Sequence, residues 1–492
     1  MDDDRKILVN GVNAVTGDYA LPAMDVGKLA DLIRGGGRED EGVRRWLKDW
    51  YERSHARRLS LIEGIDPRDL GKTGWGVIFA DDASPEVKEA MQPLLALREQ
   101  QAGERYRVFD GKAGHRVDED TQMFMARYRI GAGPVDPARG VPYYLLVVGS
   151  PERIPFRFQY LFDVQFALGR LCFDTADEYA RYANSVVAAE TGRGPFGTGA
   201  PLGLPRRCGM FGVVNEGDMA TRLSTNLLVE PLAKWLVGTP DPDMSAGTPA
   251  PAGWEVHEIL RERATPAALA ELLAADAPPA LLFTASHGME FPAGHERQRD
   301  HQGALLGAGW SRGMGPSEID PSLYISGDDL GDARVHGMIA FLFACYGGGT
   351  PRRDDFAHRS MGRPVEIAPE AFVARLPQRL LAHPKGGALA VLAHVERAWT
   401  HSFLGARNSP QLTVFEDMVR RLLEGQPVGA AMEPLNLRHS ELATRLADAY
   451  ERIGFGAGPG PEALVKMWTA HSDARNFIVL GDPAVRIAAR AV

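Results

Sequence analysis

Apolar residues along this chain gather into short runs bounded by glycine, proline or charged turns. Gly74–Ala80, Tyr106–Asp110, Tyr143–Val148, Phe166–Leu171, Cys208–Val214, Trp254–Ile259, Leu281–Ala285, Ile339–Ala344, Gly387–His394 and Asn476–Pro483 read as strands. Most are continuous rather than alternating, as expected of strands buried on both faces of a parallel sheet. Helical segments separate them. Asp82–Gln100 opens on Ser84-Pro85-Glu86, a cap, a proline and an early acid. Thr175-Ala176-Asp177-Glu178 is a capping sequence for a helix to about Glu190. Val26–Arg34, Glu41–Arg58, Asp218–Val237, Thr265–Ala275, Glu370–His383, Gln411–Leu423 and Pro434–Arg452 complete the helical set. Strands alternating with helices predict an α/β protein whose mostly parallel sheets are covered by helices.

The 492 residues exceed what one core usually serves. The Gly/Pro-rich stretch Thr191–Pro201 is the best linker, so two α/β subdomains are expected, 1–198 and 199–492. Residues 289–335, polar and glycine-rich, are expected to form a long lid or binding loop.

Charge narrows the function. A net charge of −9 argues against a phosphate-driven nucleic-acid binder and fits weak attraction for basic peptides. The acidic start, Met1-Asp2-Asp3-Asp4, does not look like a secretory signal, and no apolar run is long enough for a membrane span. Three cysteines (Cys172, Cys208, Cys345) make no disulfide framework, so a cytoplasmic protein is expected. No cofactor is expected. Gly71-Lys72-Thr73 ends like a phosphate-binding loop, but Asp66 stands where that loop needs glycine. No metal is expected either, since His287, His295 and His301 form no His-Glu-x-x-His helix and no Cys-x-x-Cys pair is present.

Two of the apolar runs end in chemistry. Leu281–Ala285 leads into Ser286-His287-Gly288, and Ile339–Ala344 into Cys345-Tyr346-Gly347-Gly348-Gly349. A cysteine and a histidine at the carboxyl ends of parallel strands are the minimum for a thiolate nucleophile and its proton carrier. At a strand end the sulfur should be partly exposed. The Gly288 and Cys345 N–H groups are the candidate oxyanion donors.

In order and spacing, five segments resemble the gingipain branch of the caspase-like cysteine peptidases: Tyr144–Gly149 with Ile154-Pro155, Gly169-Arg170, His287-Gly288, Ala344-Cys345, and Ala388–Ala393 leading to Trp399. The histidine lies 58 positions before the cysteine, near the caspase spacing. The resemblance implies Cys345 as nucleophile, His287 as proton carrier, Glu216 as the acid supporting it, and Asp218 with Trp399 at the substrate pocket. An acidic pocket wall implies a protein or peptide substrate cut after Arg, or Lys, because a basic side chain relieves a buried carboxylate. The segment after the nucleophile, Thr350–Arg359, matches in position the loop cut during caspase activation, making Arg352, Arg353 and Arg359 candidate self-cleavage sites. The family's signal, pro-segment and immunoglobulin-like domain have no counterpart in this sequence, which implies an unknown activator. Two other readings keep the same residues: a catalytically idle scaffold or sensor module, and another cysteine acyl-transfer enzyme.

Overall fold

The structure is a computed structural model that describes residues 6–7, 11–19, 24–25, 60–131, 133–239, 248–311, 319–354, 365–404 and 411–490. The helices expected over 26–34 and 41–58 lie outside the described residues. In chain order, the strands of the two principal sheets are β1 Gly11–Asn13, β2 Trp75–Phe79, β3 Tyr106–Phe109, β4 Tyr144–Val148, β5 Ala167–Leu171, β6 Arg207–Val213, β7 Glu255–Arg261, β8 Leu281–Ala285, β9 His287–Glu290, β10 Leu305–Leu306, β11 Tyr324–Ile325, β12 Ile339–Phe343, β13 Ala390–His394 and β14 Phe477–Gly481.

Ten of them form one sheet in the order β7-β6-β8-β12-β13-β14-β5-β4-β2-β3. Neighbours are parallel except at β13–β14. The chain is therefore α/β with a mostly parallel sheet, as its apolar runs predict. Strands β2, β4, β5, β8, β12, β13 and β14 are buried at every position, which requires cover on both faces. The edge strands β3 and β7 carry exposed polar residues such as Arg107, Glu255 and Glu258, which protects the open edges.

The sheet runs unbroken across the 198/199 position, because β14 lies between β13 and β5. The β14–β5 seam is tight: a Cβ on Gly169 would collide with the Gly481 carbonyl oxygen. Asp482, just past β14, bolts the seam. It accepts from Trp75 Nε1 at 2.9 Å and from Arg98 Nε at 2.7 Å, while Arg98 also pairs with Glu190 at 2.7 Å. Breaking such a buried pair by removing one partner costs about 3–5 kcal/mol.

The helix opened by Thr175 runs Ala176–Thr191 with its capping box formed. The expected 218–237 helix divides into Met219–Ser224, a π turn over Thr225–Val229, and Glu230–Leu236. Pro231, with no N–H to give, sits just past that turn. Segment 289–335 departs from the expectation of a long loop. Strands β11-β10-β9-β1 form a four-stranded sheet there, around a small core that includes Val12, Met289, Leu306, Trp310 and Tyr324. Strands of two residues are too short to show a period in sequence. Among the described residues, no helix is long and apolar enough to cross a membrane.

Candidate active site

Three neighbouring strands end at the site. β8 leads into His287, β12 into Cys345, and β13 ends on His394. Register along β8–β12 pairs Ala285 with Phe343, and the Ser286 N–H then donates to the Phe343 carbonyl at 3.2 Å. His287 and Cys345 thus leave adjacent strands at the same level. A Cβ on Gly288 would collide with the Cys345 carbonyl oxygen, so the glycine after the histidine lets the two backbones touch. Tyr346, next after the cysteine, has φ 59°, a left-handed conformation that costs a non-glycine residue about 1–3 kcal/mol and gathers at functional sites.

His287 is fully buried. Its Nε2 lies 2.8 Å from Asp218 Oδ2, and its ring packs against Tyr19 and, edge-on, Trp310. Asp218 Oδ1 accepts from the Tyr19 hydroxyl at 2.7 Å and the Ala220 N–H at 3.1 Å, and Oδ2 also accepts from the Thr221 hydroxyl. Burial alone would raise the Asp218 carboxyl. The charge of His287 and the hydrogen bonds from His287, Thr221 and Tyr19 more than offset it and hold the group well below the usual carboxylate range. With Nε2 engaged, Nδ1 is the ring nitrogen left without a hydrogen-bond partner among the described residues.

Cys345 is also fully buried, against the expectation of partial exposure. The Ala398 N–H donates to its Sγ at 3.2 Å, and the thiol points back at the Ala398 carbonyl at 3.6 Å. Burial pushes the thiol well up, and the contact with Ala398 and the charge of Arg397 offset this only in part. The loop after β13 therefore clasps the sulfur. Beside it, Arg397 is held by Asp354 at 2.7 Å, Glu396 at 3.2 Å and Glu290 at 3.6 Å. Glu290 Oε1 accepts from the Tyr346 hydroxyl at 3.0 Å, whereas Oε2 has no hydrogen-bond partner among the described residues. Burial pushes Glu290 up, partly countered by Arg397 and Tyr346.

The two expected acids take different places from those the resemblance implies. Glu216 is exposed, on a bridge to Ser311, and Asp218 is the carboxylate on His287. The reason is local. Gly217 turns at φ 71°, and Asp218 caps the helix Met219–Ser224 from inside the fold. Asp218 is both a helix cap and the histidine's partner. With both oxygens occupied and no exposure, it forms no open pocket wall. Trp399 is buried, and its main-chain N–H donates to Asp473 Oδ1 at 2.8 Å. Gly288 sits in the β9 ladder, opposite Leu305 and Gly11. Arg352 and Arg353 are exposed, Arg352 pairing with Glu366 at 3.0 Å, and Arg359 lies outside the described residues. Sequence reasoning missed Tyr19, Glu290 and Arg397. The turn residues around Asn13 and Gly17 were a signal for a hairpin in the first, but nothing local linked it to His287.

No family model matches the sequence, and no curated protein does. Among solved structures, one of a protease aligns with 84% of this chain and 78% of its own at TM-score 0.45 and 12% identity. The separase of a Saccharomyces cerevisiae separase–securin complex aligns with 70% of this chain and 16% of its own, at TM-score 0.30 and 11% identity. At such scores these likenesses decide nothing about the reaction.

Proposed function

We propose that this chain is a cysteine endopeptidase in a closed resting form, with Cys345 as nucleophile, His287 as proton carrier and Asp218 as the acid that orients His287. The observation that carries the reading is the buried His287–Asp218 pair on the strand whose Gly288 is packed against the Cys345 carbonyl. Asp218 fixes the proton on Nε2 and leaves Nδ1 to work. In the reaction, the Cys345 thiol gives its proton to Nδ1 as Sγ attacks the peptide carbonyl carbon. The oxyanion forms against the Gly288 and Cys345 N–H groups. Nδ1 then protonates the leaving amine, and water, deprotonated by His287, releases the acyl group.

Cleavage after Arg or Lys remains the proposed specificity, with the acid reassigned. Asp218 is spent on the histidine, so Glu290, Asp354 and Glu396 supply the negative charge near Cys345. Arg397 reaches all three carboxylates, and Glu290 Oε2 has no hydrogen-bond partner among the described residues, so a substrate's basic side chain has an acceptor to meet. Self-cleavage after Arg352 or Arg353 would cut the chain just before Asp354, the tether of Arg397, which adjoins the Ala398 clasp on Cys345.

The clasped thiol favours a second reading, an idle scaffold or sensor module. Fluorogenic Arg, Lys and Asp peptides, with wild type beside Cys345→Ala, decide between them. Turnover of Arg peptides by wild type alone is expected, with fragments ending at Arg352 or Arg353 in its mass spectrum after long incubation. No turnover of any peptide, together with no labelling of Cys345 by an acyloxymethyl ketone, would count against an active peptidase and for the idle module.

A further inference from the structure

We propose that Tyr19 is a positioning residue for His287, brought to the site by an N-terminal arm that the chain folds into its four-stranded sheet, against β9. The inference rests on the Cys345–His287 reading. The arm is built as a small, self-closing unit. β1 runs parallel to β9, pairing Gly11 with Gly288, Val12 with Met289 and Asn13 with Glu290. The Ala14 N–H donates to the Glu290 carbonyl at 2.7 Å, and the Ala14 carbonyl accepts from Ile319 at 2.8 Å. After β1 the chain reverses. Asn13 Oδ1 accepts from the N–H groups of Val15 at 2.9 Å and Thr16 at 3.1 Å. The Gly17 N–H closes on the Asn13 carbonyl at 2.9 Å, with Gly17 at φ 69°, and the Asn13 N–H reaches the Asp18 carbonyl at 2.8 Å. An asparagine at the start and a glycine in the left-handed position are what such a turn requires. The turn returns Tyr19 to an antiparallel bridge with Val12.

From that bridge the buried Tyr19 ring lies 5.6 Å from the His287 ring, and its hydroxyl donates to Asp218 Oδ1 at 2.7 Å. The other donors to Asp218 besides His287, Ala220 and Thr221, belong to the helix turn that Asp218 itself caps. Tyr19 comes instead from the far end of the chain, so it is the bond through which docking of the arm reaches the histidine. With the Ala220 N–H it holds Oδ1, as the shorter of the two bonds, and so helps keep Oδ2 facing Nε2 and the ring proton there. Without the hydroxyl Oδ1 keeps only the longer Ala220 bond, the carboxylate is less firmly held, and the imidazole divides between its two tautomers. The arm then acts as an intramolecular activator: the strand that carries His287 is complete only with β1 beside it.

The test uses the full-length chain with Tyr19→Phe, which keeps the ring, and Gly17→Val, which breaks the turn that returns Tyr19. Proteins labelled with ¹⁵N-histidine report the His287 tautomer, assigned against His287→Gln, while peptide hydrolysis is resolved into kcat and KM. The expected result for Tyr19→Phe is an unchanged unfolding temperature within a few degrees, a mixture of Nδ1–H and Nε2–H forms in place of a single Nε2–H form, and a fall of about tenfold in kcat at constant KM. Gly17→Val should show the same tautomer change. A His287 signal that stays in the single Nε2–H form in both variants would overturn the proposal. If wild type hydrolyses no peptide, the peptidase reading fails, and the tautomer measurement still decides the role of Tyr19.

Discussion

Two buried histidine–aspartate pairs flank the Cys345 strand, and they do different work. On one side His287 Nε2 meets the side-chain carboxylate of Asp218 at 2.8 Å. On the other, His394 Nε2 bonds the main-chain carbonyl of Asp473 at 2.9 Å and lies 3.4 Å from its carboxylate. The Asp473 carboxylate holds the Trp399 main-chain N–H and the Ser402 hydroxyl. The His394 ring packs edge-on against Phe477 at 4.8 Å. In the first pair the acid serves the ring. In the second it serves the loop that clasps Cys345. A buried imidazole beside an aspartate is therefore not enough to identify a proton carrier, and the assignment depends on which group the carboxylate oxygens are spent on.

The sharpest way to break the comparison is to remove each histidine. His287→Ala and Cys345→Ala should each lower peptide hydrolysis by about 10³-fold or more. His394→Ala should leave the chemistry nearly intact and show its effect in thermal unfolding. Next come the acids. Asp218→Asn should cost about 10²–10⁴-fold in kcat, through loss of the tautomer it sets, and should lower the unfolding temperature at neutral pH, where the ionised carboxyl is stabilising. Asp473→Asn should instead destabilise the fold by about 1–3 kcal/mol and speed alkylation of Cys345, followed by mass spectrometry of its peptide, because the clasping loop loses its anchor. Glu290→Gln should lower kcat/KM for Arg peptides about tenfold while sparing neutral ones, measured as a ratio of the two substrates. Gly288→Ala tests the shared backbone contact: the added methyl meets the Cys345 carbonyl, and a loss of about 1–3 kcal/mol in denaturant unfolding is expected.

The smallest effect is in pH. The Asp218 carboxyl is depressed in the folded chain, so its stabilising contribution is fully present above the unfolded carboxylate value near 3.8 and is lost as pH falls through the folded value. Wild type and Asp218→Asn should therefore converge in unfolding temperature on acidification below about pH 4. Cys345 behaves in the opposite sense. Its thiol is raised on folding, so its contribution holds below its ordinary value of 9.0 and weakens as pH rises above it. Cys345→Ala should flatten that alkaline decline.

The order of strands and helices, the α/β class and the two strand ends that carry His287 and Cys345 were written in the chain itself. Short continuous apolar runs bounded by glycine and proline fit strands covered on both faces, and a reactive residue followed by glycine marks where such a strand stops. The capping box at Thr175 and Glu178 was equally local, needing only a separation of three residues. What the chain alone left open was every choice that depends on where a side chain meets distant parts of the fold. Asp218 displaces Glu216 because Gly217 turns the chain between them, and no composition rule counts that turn. The burial of Cys345 is decided by Ala398, and the pairing within the acidic cluster by Arg397, both from the loop after β13, some fifty residues on in the chain. Tyr19 reaches Asp218 only because β1 adds to β9 across most of the chain's length. Local spacing sets periodicity and caps, whereas the direction in which a carboxylate, a thiol or a hydroxyl points is settled by packing between segments far apart in sequence.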